Sequence, residues 1–298
     1  MKVRLCGVRG STPAPGAAFA DVGGNTACVA ITTDDRSVPT LILDAGTGIR
    51  SVTELLAPLA FRGTILLSHL HWDHVQGLPF FSAGDRSGSV VRLLIPHDPE
   101  DPSGDDAAGV LRRTMSPPHF PIGPEGLNGS WTFDFVDEGP HSFEGLVVEA
   151  RAIPHKGGRT FGYRISDGQG SLVYMPDHLP AADGPARDTA IELARDADVL
   201  IHDSQFVTAE HVLAEAYGHS TQAQAIDLAV AAGVGELVLF HHAPGRTDDQ
   251  LQVLFDDLAQ QHFGPLTITL GREGDEFTPS GAGAVSRSES VQPVEPAG

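Results

Sequence analysis

The feature that most constrains this chain is a cluster of metal-binding side chains directly after an apolar run. Residues 64–68 have the composition of a buried strand, and the pattern HxHxDH follows at residues 69–74. Neutral imidazole and carboxylate are the usual protein ligands of zinc-like metals. Because a sharp turn after a strand imposes no regular period, it can aim four side chains into one space. The pattern predicts a metal site with the candidate ligands His69, His71, Asp73 and His74.

Composition excludes several other classes of protein for this 298-residue chain. A mean hydropathy of -0.07, without any apolar run of about 18 residues, excludes an integral membrane protein. Only 19 Lys and Arg face 39 Asp and Glu, and the net charge of -20 argues against a protein that clamps nucleic-acid phosphates. The two cysteines, Cys6 and Cys28, are too few for a disulfide framework. Since residues 1–5 lack the apolar core of a signal peptide, we expect a cytoplasmic protein.

Short β-prone runs dominate the first part of the chain, and β-α alternation follows. Strands are predicted at residues 2–8, 27–33, 39–44, 64–68, 90–95, 131–136, 146–153, 160–165 and 171–175. Helices are predicted at 187–195, 220–233 and 247–263, among strands at 198–202, 236–240 and 266–270. This order favours two sheets with helices on their outer faces. We expect one domain over residues 1–278 and a disordered tail over 279–298.

The HxHxDH pattern, the β-meander before it and the turn at residues 44–48 (DAGTG) together resemble the metallo-β-lactamase superfamily of metallohydrolases. The resemblance extends over nearly all of residues 1–272. It implies an α/β (α+β) fold, a four-layer αββα sandwich, with metals bound at one edge between the two sheets. Members of this superfamily need three further ligands downstream of the HxHxDH pattern.

The resemblance implies a site for two divalent metal ions, with zinc preferred and manganese or iron as alternatives. Matching downstream motifs are found at His155, at Asp177, and at the adjacent pair His241 and His242, from which His241 is chosen. The implied groups are His69, His71 and His155 for the first ion and Asp73, His74 and His241 for the second, with Asp177 as the bridge. Two cations that share a water lower its pKa and so supply hydroxide near neutral pH. The resemblance gives Asp73 a second, catalytic role in orienting or deprotonating that water.

The residues at 218–221 (GHST) resemble the His-Ser-Thr loop of the tRNA 3′-processing and cyclic-phosphate phosphodiesterase branch of the superfamily. In that branch the histidine contacts the phosphate and assists the leaving oxygen. The resemblance therefore implies a catalytic and substrate-binding role for His219. The loops at 8–13 and 23–26 resemble the N-terminal loops of the same branch, and Asn25 is the expected substrate contact there. The alternative is that Asn25 caps its own turn.

The expected substrate is a small or cyclic phosphodiester. Only 21 residues separate His155 from Asp177, where the tRNA endonucleases of this family carry a long tRNA-gripping arm. The chain has no room for that arm and no basic surface to replace it, so a nucleic-acid partner is not expected. Lys156 and Arg159 are candidates for a phosphate contact or for plain surface solubility. Residues 111–122 are interpreted as a lid or a substrate wall. No membrane partner is expected, and the chain could form a homodimer.

Three other functions stay open at this point. One is a tRNA 3′-processing endoribonuclease that lacks the arm. Another is a thioesterase of the glyoxalase II type, which shares the HxHxDH pattern but is disfavoured by the loop at His219. The third, from a different class, is a non-catalytic binding module that a metal stabilises, and the full set of seven ligands argues against it.

Overall fold

The computed structural model describes residues 1–281 and 285–287 and contains two β-sheets with helices on their outer faces. The strands are β1 (Lys2–Gly7), β2 (Cys28–Thr32), β3 (Leu41–Leu43), β4 (Arg62–Leu66), β5 (Val90–Pro96), β6 (Ser130–Val136), β7 (Gly139–Phe143), β8 (Leu146–Ala152), β9 (Phe161–Ser166), β10 (Ser171–Met175), β11 (Val199–Asp203), β12 (Glu236–Phe240), β13 (Thr267–Leu270), β14 (Glu276–Pro279) and β15 (Val285–Arg287). The helices are α1 (Ile49–Leu56), α2 (Trp72–Val75), α3 (Ala107–Arg112), α4 (Pro185–Ala194), α5 (His211–Tyr217), α6 (Gln222–Ala232) and α7 (Asp248–Ala259). None of the helices in these ranges has the length and apolarity that a membrane span requires.

Each of the two sheets contains both parallel and antiparallel pairs of strands. The first sheet runs β15-β14-β1-β2-β3-β4-β5-β6, and the second runs β13-β12-β11-β10-β9-β8-β7. Strands β3 to β6 are parallel to one another, as are β10 to β13. Parallel strands are covered on both faces, and β12 is accordingly buried along its whole length. The antiparallel strand β8 instead alternates between buried and more exposed residues.

The two sheets pack face to face around an apolar cluster that draws on both of them. Leu5 and Val29 enter it from the first sheet, and Tyr163 and Phe240 enter it from the second. Helix α1 packs on the outer face of the first sheet, while α4 and α6 pack on the outer face of the second. The layers therefore follow the order helix, sheet, sheet, helix. This arrangement confirms the αββα sandwich that was predicted from the sequence.

Parallel strands of both sheets end at one edge of the sandwich, which brings polar side chains together. Asp44 directly follows β3, and the HxHxDH segment begins three residues after β4. In the second sheet, Asp177 lies two residues after β10, Asp203 ends β11, and His241 directly follows β12. Because parallel neighbours finish at the same edge, residues that are far apart in the sequence meet there.

The carboxyl-terminal part of the fold differs from the sequence prediction. Val285–Arg287 falls within the predicted tail, yet it forms β15 and pairs antiparallel with β14. Arg287 also forms an ion pair with the buried carboxylate of Glu236 and packs over the ring of Phe277. These contacts join residues distant in the sequence, so the local composition did not reveal them. Residues 282–284 and 288–298 of the predicted tail lie outside the described residues, and the boundary at 278 stays a prediction.

Arg9 is a fully buried cation that joins two loops near this edge. Its Nε donates to the carbonyl of Gly23 at 2.7 Å, and one Nη donates to the carbonyl of Arg246 at 2.7 Å. The other Nη donates to the carboxylate of Asp248, the first residue of α7, at 2.7 Å. Asp248 also accepts from the backbone N–H of Asp21. The guanidinium thereby fixes the loop after β1 against the loop after β12.

We expect Arg9→Met to lower the free energy of unfolding by about 3–5 kcal/mol, because it leaves the Asp248 carboxylate buried without its cation. Arg9→Met combined with Asp248→Leu should recover part of this loss, since both charges are then gone. Urea unfolding of the wild type, the two single variants and the double variant measures the coupling between them. Strictly additive losses in the double variant would show that the pair does not interact.

Candidate metal centre

Seven of the predicted site residues meet at the shared edge of the two sheets. They form two groups, and the ligand atoms within each group lie within 4.8 Å of one another. The first group is His69, His71, His155 and Asp177, and the second is Asp73, His74, His241 and Asp177. Five of the seven residues are buried, while His71 and His155 are half-buried. The two groups therefore share one carboxylate.

The two oxygens of Asp177 face different groups. Asp177 Oδ2 lies 3.5 Å from His155 Nε2 and 3.7 Å from His69 Nε2 in the first group. Asp177 Oδ1 lies 2.9 Å from His74 Nε2 and 3.3 Å from His241 Nε2 in the second group. A carboxylate placed in this way can bind two cations at once, one through each oxygen.

Hydrogen bonds to backbone and side-chain acceptors orient the rings of both groups. His74 Nδ1 donates to Asp44 Oδ2 at 2.7 Å, which turns His74 Nε2 toward Asp177. His155 Nδ1 donates to the carbonyl of Gly218 at 2.6 Å, which turns His155 Nε2 toward His71 Nδ1 at 3.2 Å. A metal-binding histidine usually donates its other ring N–H to such an acceptor, because the bond fixes the tautomer and the direction of the ring.

The backbone of this region adopts conformations that only a well-packed site can hold. Ser11, Asp44 and His241 have φ values of 62°, 57° and 57°, and they are three of the five non-glycine residues with positive φ in the described ranges. Gly10 permits the close approach of the loop to His241, because a Cβ at that position would lie 2.5 Å from the imidazole ring. Ser11 N then donates to Asp73 Oδ2 at 2.7 Å and holds that carboxylate.

The chemistry of these residues fits divalent cations. His69 Nε2 is buried and has no hydrogen-bond partner within the described residues, and burial lowers the pKa of this ring so that it stays neutral. Burial also opposes a charge on His74, but the carboxylates of Asp177, Asp73 and Asp44 raise the pKa of its imidazole well above the usual value. This surplus of negative charge attracts cations, and a bound cation takes the place of the proton. Imidazole and carboxylate together suit zinc, manganese and iron.

The adjacent histidines at the end of β12 have different environments. His241 Nε2 lies 3.1 Å from Asp73 Oδ2 within the second group. His242 instead points away from the group, and its Nε2 donates to the carbonyl of Gly271 at 2.9 Å. Burial lowers the pKa of His242 to about 3, so its ring is neutral. The structure thus brings His241, the residue chosen from the sequence, to the other candidate ligands.

His219 lies beside the two groups and is held by a carboxylate that the sequence reasoning missed. His219 Nδ1 donates to Asp203 Oδ2 at 2.8 Å and lies 3.8 Å from Asp177 Oδ2. Asp203 is fully buried and also accepts from the backbone N–H of Ser220 and of His178. Burial opposes a charge on His219, but Asp203 raises its pKa to about 9. Asp203 could have been identified from its position at the carboxyl end of the buried strand β11. In the sheet, β11 lies between β10, which precedes Asp177, and β12, which precedes His241.

The other predicted phosphate and substrate contacts besides His219 are bound by residues of the chain itself. Asn25 is not among the residues that line the adjoining pocket, and its side-chain amide donates to Glu273 at 2.8 Å. That Asn25 contacts the substrate stays a prediction, and in the structure the amide is bound by a carboxylate 248 positions away. Lys156 donates to a backbone carbonyl of α5, and Arg159 forms an ion pair with Glu138.

A pocket of about 530 Å³ opens onto both groups. Its lining residues are Ser11, Leu70, His71, Trp72, Asp73, Asp177, Gln205, Phe206, Tyr217 and His219. A cavity of about 650 Å³ adjoins His69 and His71 on another side, and the acidic loop at 98–105 lines it. The segment at 111–122, predicted as a lid or wall, lines a separate apolar groove of about 450 Å³ next to Trp72. None of its residues lines the 530 Å³ pocket.

The chain is similar to known proteins in both its sequence and its fold. Residues 40–242, more than half of the chain, match the model of the beta-lactamase superfamily domain. Ribonuclease Z of Lacticaseibacillus casei (strain BL23) is 33% identical over 216 residues, which cover 59% of this chain and 66% of that relative, so the match spans just under two thirds of its length. The metallo-beta-lactamase fold protein YhfI from Bacillus subtilis superposes with a TM-score of 0.68 at 18% identity and covers 93% of this chain and 99% of its own. A diphosphatase from the PhnP family superposes with a TM-score of 0.63 at 16% identity and covers 94% and 98%.

The metal content of purified variants tests the two groups. We expect about two equivalents of divalent metal in the loaded wild type and about one in His241→Ala, because only the second group loses a ligand atom. The matched control is His242→Gln, which keeps a donor for Gly271 and should keep both equivalents. Elemental analysis after removal of free metal measures these contents. Equal losses in the two variants would contradict the placement of His241, and a metal-free wild type after loading would contradict the fit.

Proposed function

Because the chain belongs to the beta-lactamase superfamily, we propose that it is a phosphodiesterase that hydrolyses a small or cyclic phosphodiester. The superfamily and the class of metal-dependent hydrolase agree with the sequence prediction. The ribonuclease Z relatives confirm the predicted branch. The proposal adds that the two groups hold two cations, with zinc preferred to manganese or iron.

The observation that carries the proposal is the pair formed by His219 and Asp203 beside the shared Asp177. A carboxylate that accepts the Nδ1 proton fixes the ring and stabilises its protonated form. A general acid at this place suits a reaction that expels an alkoxide, since a poor leaving oxygen needs a proton as it departs. A phosphodiester of an ordinary alcohol has such a leaving group, whereas a thioester expels a thiolate that departs without one.

The cations would lower the pKa of a water molecule and neutralise the charge of the phosphate oxygens. Asp73 orients the attacking water, because Ser11 N and His241 hold its carboxylate in one direction. His219 contacts a phosphate oxygen and transfers its proton to the departing alkoxide. Asp203 positions His219, and the positive charge of bound cations would lower the pKa of that ring from about 9 toward the range in which a proton is transferred readily.

A small substrate is supported by the charge and the size of the pocket. None of the residues that line the 530 Å³ pocket is Lys or Arg, so the wall lacks the side chains that bind the successive phosphates of a polyanion. The 21 residues between His155 and Asp177 are taken up by β9, β10 and their connections, which leaves no segment for a protruding arm. The structural similarity to a diphosphatase of the PhnP family is consistent with a small substrate.

A second candidate is a tRNA 3′-processing endoribonuclease without the arm. Sequence similarity to ribonuclease Z favours it, because the relatives in that match are named for activity on RNA. The net charge of -20 argues against it, since it repels a polyanion, and the pocket lining has no Lys or Arg to offset that repulsion. A homodimer and a cytoplasmic location stay predictions.

A substrate screen separates the two candidates. We expect metal-loaded protein to hydrolyse a 2′,3′-cyclic nucleotide or methyl p-nitrophenyl phosphate and to leave a tRNA precursor with a 3′ trailer uncut at the same enzyme concentration. Asp177→Asn removes the shared bridge and should abolish the activity, which controls for a contaminating enzyme. Efficient trimming of the precursor without hydrolysis of the small diesters would favour the ribonuclease instead.

The role of His219 is tested by leaving groups of different acidity. We expect His219→Ala to keep both metals and to lower kcat by roughly 10²–10⁴-fold for a diester with a sugar alcohol as leaving group. The loss should be much smaller for a p-nitrophenyl diester, because nitrophenolate departs without a proton. His262→Ala, at an exposed position, is the matched control and should leave both rates unchanged. Equal losses for both substrates would assign His219 to phosphate positioning only.

A further inference from the structure

Aromatic side chains form an unusual part of the pocket beside the two groups. Trp72 lies between His71 and Asp73 in the sequence, and its side chain is 73% exposed. Tyr217 ends α5, two residues before His219, and is 62% exposed. Both residues line the 530 Å³ pocket together with Phe206. Large exposed aromatic faces at the mouth of a pocket usually mark a place where a ligand is bound.

The rings form a continuous row that leads outward from the second group. The ring of His219 lies 5.1 Å from that of His241 and 6.1 Å from that of Phe206, measured between centroids. The rings of Phe206 and Tyr217 follow at 6.4 Å, with their planes only 3° apart. The rings of Phe206 and Tyr217 therefore form a flat apolar surface. This surface is close enough to His219 for one substrate to contact both.

The charges around this surface exclude a second anionic group at the same place. Apart from the imidazoles of His71 and His219, the described residues that line the pocket include no basic side chain. Glu215, on the same helix as Tyr217, is exposed, and the nearby Arg246 is already bound by the carboxylate of Glu210. An uncharged ring can approach such a surface, whereas a further phosphate is repelled.

We propose that Trp72, Phe206 and Tyr217 form a subsite for a flat, uncharged ring on the leaving alcohol of a monoanionic phosphodiester. This inference rests on the proposed function and narrows its substrate to the class of nucleoside-like diesters with a single phosphate. Stacking of a base on an aromatic side chain strengthens binding, so loss of one ring should weaken binding roughly tenfold. The three residues determine specificity and take no part in the proton transfers.

Three cyclic diesters with the same five-membered phosphate ring test the subsite. They are adenosine 2′,3′-cyclic phosphate, glycerol 1,2-cyclic phosphate, and the adenosine ester with an additional 5′-phosphate. With metal-loaded wild type, we expect a KM for the adenosine ester roughly tenfold below that of the glycerol ester, and a higher KM when the 5′-phosphate is present. Tyr217→Ala should abolish the preference for adenosine over glycerol, and Tyr217→Phe should retain it. Val212→Ala, on the same helix, 64% exposed and outside the pocket lining, is the matched control and should leave the preference unchanged.

A binding measurement distinguishes failure of the subsite from failure of the proposed function. The chain has two tryptophans, so Trp131→Phe leaves Trp72 as the sole tryptophan reporter at the pocket. Adenosine 3′-monophosphate should quench its fluorescence, and Tyr217→Ala should weaken that binding roughly tenfold. Quenching without hydrolysis of any diester would overturn the proposed function and leave the subsite in place. Hydrolysis with equal KM values for the adenosine and glycerol esters, and without quenching, would overturn the subsite alone.

Discussion

The architecture of the site depends on the hydrogen bonds that the buried carboxylate of Asp44 accepts. A charge removed from water is tolerated only when hydrogen bonds satisfy it, and Asp44 accepts four of them. Two come from the backbone N–H and the hydroxyl of Ser68, one from His74 Nδ1 and one from the hydroxyl of Tyr174. Tyr174 belongs to the second sheet, whereas Asp44 and Ser68 follow strands of the first. One carboxylate therefore fixes the spacing of the sheets, the start of the HxHxDH segment and the direction of a candidate ligand.

The chemistry of the site is divided between the two sheets. The first sheet supplies the HxHxDH segment, while the second supplies the shared Asp177, His241 and the pair of Asp203 and His219. Neither sheet alone carries a complete group, so the site exists only when the sandwich has formed. Bound cations would consequently stabilise the packed form over the unfolded chain, because only the folded form presents both halves.

Local patterns predicted much of the fold and most of the site, because strand ends and the HxHxDH turn are encoded within a few residues. His155, Asp177 and His241 were chosen through the family resemblance, and each follows a strand in the structure as the matching motif does. What the sequence did not reveal depends on pairing between distant residues. The hydrogen bond of Asn25 to Glu273 was not predictable, because Glu273 lies near the other end of the chain.

The same limit applies to the residues that support the site. Asp203 would act through His219, and its position at a strand end indicates the edge on which it lies but not the hydrogen bond to His219. Strand β15 was missed because its stability comes from β14 and from the ion pair between Arg287 and Glu236. The hydrogen bond between His155 Nδ1 and the carbonyl of Gly218 is of the same long-range kind, and it ties a ring of the first group to the residue before His219. On the proposed function, cation binding at His155 and phosphate binding at His219 would be linked equilibria, and each would change the affinity of the other by the same factor.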